Sequence, residues 1–284
     1  MTYKECYLQG QEALTAAGIE EAPLDARLLL EYVCGTSRND LLVHGDREVS
    51  EDNRKRYEEI ISKRAMRIPL QHITGVQEFM GLEFRVSDKV LIPRQDTEIL
   101  VEEVLRELHD GMRILDMCTG SGCILLSLLH YSNGCEGIGV DISGEALQVA
   151  EQNAEALLNG RETDYRFIQG DLFEAVDGKF DIIVSNPPYI PSQVIPTLMP
   201  EVQQYEPMLA LDGSGDGLFF YRKIAEESGK YLNKGGGIYF EIGHDQAECV
   251  SNILAAAGFT EIETVKDYAG LDRVVYATYV GNAE

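Results

Sequence analysis

From Met112 to Tyr279 the sequence alternates between short apolar runs that read as strands and longer amphipathic runs that read as helices, a rhythm few folds accommodate. Candidate strands fall at Arg113–Met117, Gly137–Asp141, Tyr165–Gln169, Phe180–Ser185, Gly237–Ile242, Thr260–Val265 and Arg273–Tyr279. Candidate helices fall at about Gly122–Leu129, Gly144–Leu157, Leu218–Leu232 and Gln246–Ala257. A strand that returns parallel to its predecessor needs a long crossover, usually a helix. The alternation therefore predicts a Rossmann-like α/β fold: seven strands in a mostly parallel sheet, with helices on both faces.

The N-terminal quarter reads differently. Asp25-Ala26-Arg27-Leu28-Leu29-Leu30-Glu31-Tyr32-Val33 is rich in helix formers, with a stop at Gly35. Ser50 is placed to cap a helix running to about Arg67, which Pro69 ends. Residues 1–70 are thus expected to form a small all-helical domain. Gly75, Gly81 and Pro93 punctuate two short β-like runs, Leu82–Val86 and Val90–Ile92, so residues 71–93 are read as a β-hairpin linker. Residues 94–284 form the main domain, opened by an amphipathic helix from Asp96 to His109.

Charge narrows the partners. The 284 residues carry a formal charge of −24, yet residues 1–75, with ten basic and thirteen acidic side chains, contribute only −3. A main domain this acidic repels phosphate backbones, because nucleic-acid binding depends on Lys and Arg displacing counterions. Nucleic acid is therefore a disfavoured partner. The local exception is Arg54, Lys55, Arg56, Lys63, Arg64 and Arg67, crowded into fourteen residues with only two acids. These make either a solvated helix face or a docking surface for an acidic protein. No run approaches the ~18 apolar residues of a membrane helix, and the N-terminus lacks the pattern of a secretory signal, so the cytoplasm is the expected location. The six cysteines form no C-x-x-C pair and the five histidines show no ligand spacing, so reduced thiols and no metal are expected.

Two loops at strand ends carry the chemistry. The first follows Ile114-Leu115-Asp116-Met117 and reads Cys118-Thr119-Gly120-Ser121-Gly122 before a helix. Glycines there let backbone approach a ligand closely, beside the free N–H groups of a helix start. Only Gly120 and Gly122 match the G-x-G-x-x-G spacing, which argues against a dinucleotide. Asp141, ending the next strand, can accept both hydroxyls of a ribose or else cap the following helix. After the third strand, Asp171 and Leu172 offer an acceptor and an apolar wall to an adenine ring.

The second loop, Asn186-Pro187-Pro188-Tyr189, follows the fourth strand. The Asn186 side-chain oxygen and the Pro187 carbonyl can each accept one N–H bond from a planar amide or amine. Such bonds aim the nitrogen lone pair and stabilise positive charge developing on it during alkylation. The prolines stiffen the loop, and Tyr189 offers a face for stacking. A rigid Pro-Pro turn with a packed tyrosine is the structural alternative.

With these residues in view, the chain resembles the class I methyltransferases that act on amino groups. Within them it resembles the PrmC (HemK) family, the glutamine methyltransferases of peptide chain release factors. Beyond the two loops the likeness rests on Asp25–Leu30, Leu91-Ile92-Pro93-Arg94-Gln95-Asp96-Thr97-Glu98, Tyr205-Glu206-Pro207, Ala210-Leu211-Asp212-Gly213, Glu241-Ile242-Gly243 and Lys266–Arg273. The resemblance implies a seven-stranded methyltransferase domain and an N-terminal helical domain that grips the release factor. It implies S-adenosyl-L-methionine as methyl donor, S-adenosyl-L-homocysteine as product, and the glutamine of a Gly-Gly-Gln loop as target. By motif position, Cys118, Thr119, Gly120, Ser121, Gly122, Asp141, Asp171, Leu172 and Asn186 would touch the cofactor, and Asn186, Pro187, Pro188 and Tyr189 the glutamine. The family usually has Gly where Cys118 stands and Pro where Gln95 stands. Two rival readings are an adenine-N6 methyltransferase of nucleic acid, since the same tetrapeptide can seat a flipped base, and a non-catalytic binding protein on a methyltransferase fold.

Overall fold

The structure is a computed structural model describing residues 1–161 and 163–281. The chain divides into two compact units, Met1–Val76 with Met199–Tyr205, and the remainder.

In the helical unit α1 (Tyr3–Ala16), α2 (Ala22–Cys34), α3 (Arg38–Val43), α4 (Glu51–Ala65) and α5 (Leu70–Thr74) follow one another. Gly35 closes α2 in the left-handed conformation, and the Ser50 hydroxyl accepts the Asn53 N–H at the start of α4, both as the sequence predicts. Leu14, Ala26, Leu29, Leu30, Tyr57, Ile60 and Ile61 make one buried core. Gly10 of α1 admits the Tyr57 ring: a Cβ there would stand 2.0 Å from its hydroxyl, which donates to the Ala26 carbonyl.

The basic run largely neutralises itself. Arg54 pairs with Glu51 and Glu58, Lys55 with Glu51, and Lys63 with Glu59, while Arg56 lies over the Tyr32 ring. Arg64 is buried against Asp25 at 2.7 Å and Glu201 at 3.1 Å, and Arg67 shares Glu201. Few of these cations stand free for an acidic partner, so the docking-surface reading loses its basis. Sequence alone hides this because Asp25 and Glu201 lie far from the run.

The second unit opens with a hairpin of β1 (Val76–Phe79) and β2 (Leu82–Arg85), turning at Met80-Gly81. Here the expectation is corrected: Val90–Ile92 is not a strand. Val90 and Ile92 are buried instead as single side chains in an extended loop. Then come α6 (Asp96–Glu107), β3 (Arg113–Met117), α7 (Cys123–Tyr131), β4 (Glu136–Asp141), α8 (Gly144–Leu157), β5 (Asp164–Gln169) and β6 (Phe180–Ser185). After α9 (Pro200–Tyr205), which belongs to the helical unit, the chain adds α10 (Met208–Leu211), α11 (Phe219–Ser228), β7 (Leu232–Glu241), α12 (Ala247–Ala256), β8 (Phe259–Lys266) and β9 (Asp272–Tyr279).

Among the described residues, seven strands form one sheet in the order β5-β4-β3-β6-β7-β9-β8, with only β9 antiparallel to its neighbours. Side chains alternate between faces as the strand period requires. Ile114, Ile182 and Val184 pack with α6 and α7, while Leu115, Ile183 and Phe240 pack with α11 and α12. Both faces are covered, so the central strands are apolar in their middles, with Asp116 of β3 the buried charged exception. The strand order reverses at β3, and the crevice at the carboxyl ends of β3 and β6 is where such sheets bind ligands. Among the described residues no helix is long and apolar enough to cross a membrane, and no cluster of His, Cys, Asp or Glu could hold a metal ion.

Candidate active site

The turn between β3 and α7 is held by its own backbone and by one buried acid. Thr119 N–H donates to the Val140 carbonyl and Gly122 N–H to the Thr119 carbonyl. The Thr119 hydroxyl donates to Asp116 at 2.6 Å. Asp116 is fully buried, and burial, against the opposing hydrogen bonds, pushes its pKa up to about 7. Gly120 and Gly122 have φ of +54° and +77°, the left-handed region glycine favours. Cys118 shares that region at φ +60°, which explains why glycine suits the position in the resembled family. The φ of −61° at Gln95 is likewise the value a proline ring imposes.

Asp141 lies across this turn. Its two carboxylate oxygens accept the Gly120 and Ser143 N–H groups, each at 2.9 Å. Burial raises its pKa, opposed by those backbone bonds. The cap of α8 is Ser143, whose hydroxyl accepts the Ala146 N–H, so the capping role is not Asp141's. A carboxylate has about four acceptor sites, and roughly half stay open to a ligand. Beyond β5, Asp171 is exposed and Leu172 is held at φ +50°.

Asn186 follows β6, whose last residue, Ser185, is anchored by a 2.6 Å bond to the Met117 carbonyl. The Asn186 Nδ2 donates to the Thr97 hydroxyl at 3.3 Å. The rest of the loop is tightly braced. The Tyr189 carbonyl accepts from Gln246, Ile190 N–H donates to Leu211, and Gly213 N–H donates to Ile190. A Cβ on Gly217 would stand 2.3 Å from the Tyr189 carbonyl oxygen, and one on Gly213 2.7 Å from its Cα. Only glycine fits at either place. The Tyr189 phenol points at Glu241, 3.5 Å from Oε1, and its pKa is raised by burial and by that carboxylate.

A cavity of about 270 Å³ gathers most of the expected residues: Cys118, Thr119, Gly120, Ser121, Asp141, Asp171, Leu172, Asn186 and Pro188 line it. Gly122, Pro187 and Tyr189 do not. The Cβ that Gly122 lacks would face Leu126 and Ala150, Pro187 is buried, and Tyr189 packs its ring against the core. Thr97, Arg94, Phe219 and Phe220 also line the cavity. None stood out as a site residue in the sequence, although Arg94 and Thr97 lie in a segment that did.

A parallel sheet with one reversed strand, β9, set between β7 and β8, with a glycine turn after β3, an acid after β4 and a polar loop after β6, defines a class I methyltransferase. The Pyrococcus furiosus methyltransferase has a similar fold, with a TM-score of 0.52 at 18% identity over 80% of this chain and 99% of that one. Residues 108–257 match a methyltransferase domain model, and residues 5–75 match the PrmC N-terminal domain. The release factor glutamine methyltransferase of Clostridium acetobutylicum is 44% identical over 99% of this chain and 100% of its own length. That of Agrobacterium fabrum is 42% identical over 94% of each chain. The chain belongs to the release factor glutamine methyltransferase family.

Proposed function

We propose that this enzyme methylates the side-chain amide nitrogen, N5, of the glutamine in the Gly-Gly-Gln loop of peptide chain release factors, with S-adenosyl-L-methionine as donor. A substrate from translation termination puts the reaction in the cytoplasm. The observation that carries the reading is the orientation of Asn186. With Nδ2 committed to Thr97, the group Asn186 offers the cleft is its carbonyl oxygen, an acceptor suited to an N–H2 group.

The cavity residues fit the donor. Space is open where a Gly120 Cβ would stand, Asp141 keeps acceptor sites for a ribose, and Leu172 supplies an apolar wall. When bound, S-adenosyl-L-methionine supplies an electrophilic methyl on positively charged sulfur. Asn186 Oδ1, on the cavity wall, would accept one amide N–H and, as the family resemblance implies, the Pro187 carbonyl the other, turning the nitrogen lone pair toward that methyl. The same dipoles stabilise charge growing on nitrogen, and the braced backbone from Asn186 to Ile190 holds them without reorganisation. No base need act before attack, because the proton can leave after the N–C bond forms.

Mass spectrometry of a release-factor tryptic peptide, after incubation with enzyme and donor, tests the proposal. One added methyl on glutamine is expected. An unmodified peptide beside a methylated DNA control would favour the adenine reading instead.

A further inference from the structure

Three of the sequence segments that mark the family, Leu91–Glu98, Glu241–Gly243 and Lys266–Arg273, meet behind Asn186. Thr97, in the first turn of α6 and 2% exposed, accepts the Asn186 Nδ2–H. Beside the same hydroxyl lies the carboxylate of Glu241, which ends β7 and is also 2% exposed. Oε2 of Glu241 is buried with no partner in hydrogen-bond geometry, which leaves it an open acceptor for the Thr97 proton. Burial pushes the Glu241 carboxyl up to about 7, opposed by the Thr97 hydroxyl and by the positive charge of Arg273, at the start of β9. Arg273 is itself fixed by Asp267 at 3.0 Å, by Asp96 at 3.2 Å and by the Ile242 carbonyl. The Glu241 carbonyl accepts the buried Tyr221 hydroxyl at 2.8 Å.

A hydroxyl has one proton to give. If Thr97 gives it to Glu241, only a lone pair remains for Asn186, and Asn186 must answer with its N–H2. Its carbonyl oxygen then faces the cleft. With no carboxylate behind it, Thr97 can donate instead, and the amide can turn over. An inverted amide would set N–H against substrate N–H, losing a bond and adding a donor–donor clash.

We propose that Thr97, oriented by Glu241, is the positioning residue that fixes which end of the Asn186 amide meets the substrate. The proposal rests on the reading that Asn186 accepts a substrate N–H. Removing the hydroxyl should lower the rate of the chemical step and leave cofactor binding intact.

The test uses the full-length enzyme with a release factor and S-adenosyl-L-methionine. Thr97→Val is expected to lower kcat by about 10–100-fold, with the cofactor Kd within about threefold and the melting temperature preserved. Thr97→Ser, which restores the hydroxyl, is expected to return kcat to within about threefold of wild type. Added to Asn186→Ala, Thr97→Val should cause no further loss, because the hydroxyl acts only through that amide. Should valine not fold at this buried position, Thr97→Ala takes its place in each comparison. Thr97→Val with wild-type kcat, Thr97→Ser with no recovery, or a further loss in the double variant would overturn the assignment. If Asn186→Ala itself keeps full turnover, the reading of the site fails first. If Asn186→Ala is inactive while Thr97→Val is normal, the positioning role alone fails.

Discussion

Replacing Asp116 with Asn should flatten part of the dependence of stability on pH, by an amount that follows from the residue's surroundings. The carboxyl ends β3 with no exposed surface, accepts the Thr119 hydroxyl and has no partner on Oδ1. Burial lifts its pKa from 3.8 to about 7. An acid that holds its proton more tightly when folded favours the native state below its unfolded pKa. That contribution is lost as pH rises through the folded value, so the window runs from about pH 4 to about pH 7. At about 1.4 kcal/mol per unit, Asp116 removes about 4 kcal/mol of stability across it. Asn does not titrate. Urea unfolding of both proteins at a series of pH values should show the difference between them moving in favour of Asp116→Asn by about 3–4 kcal/mol from acid to mildly alkaline conditions. Glu241, raised to about 7 in the same way, titrates in both proteins and cancels. A constant offset is a separate matter, since the new Nδ2 lacks an acceptor and costs about 1–3 kcal/mol. Curves that run parallel at all pH values would refute the reasoning, because they would mean Asp116 titrates alike folded and unfolded.

Four further outcomes are expected. Asn186→Ala should cut kcat by at least about 100-fold while the cofactor Kd, read by titration calorimetry, stays within about tenfold. Asp141→Ala should weaken cofactor binding by about 10–100-fold in the same assay, and unchanged affinity would remove the ribose role. Arg64→Ala, which strands the buried Asp25, should destabilise the protein by about 3 kcal/mol in chemical unfolding, whereas Lys63→Ala on the exposed face should leave the midpoint unchanged. Cys118→Gly relieves about 1–2 kcal/mol of left-handed strain and adds about 0.5–1 kcal/mol of unfolded-state entropy, so a slight gain in melting temperature is expected.

The sheet was legible because its strands obey simple rules. Helix Gly144–Leu157 and strand Phe180–Ser185 match the sequence reading at both ends. Strand β7 starts at Leu232, earlier than expected, because Asn233-Lys234-Gly235-Gly236 reads as a turn yet continues the strand into an irregular register with β6. The helix expected to reach Leu232 stops at Ser228 for the same reason. Val90–Ile92 shows the opposite failure, an apolar run with no strand to pair with. At the site, the glycine turn, Asp141 and Asn186 could be placed because each ends a recognisable strand. Thr97, Glu241 and Arg273 come from three distant segments, and no periodicity says that they meet. Tyr189 was expected to offer its ring as a free face, but the pull of Glu241 on its hydroxyl cannot be seen in a tetrapeptide.

The excursion that lends Met199–Tyr205 to the helical unit changes how this protein can be taken apart. A module hung on a single tether can be trimmed by one cut or exchanged by one crossover. Here the polypeptide passes from one unit to the other three times, so deleting residues 1–75 strips Glu201 of both its arginines and leaves α9 with nothing to fold against. Any chimera that swaps the N-terminal helices must carry a matching insert from the middle of the methyltransferase domain.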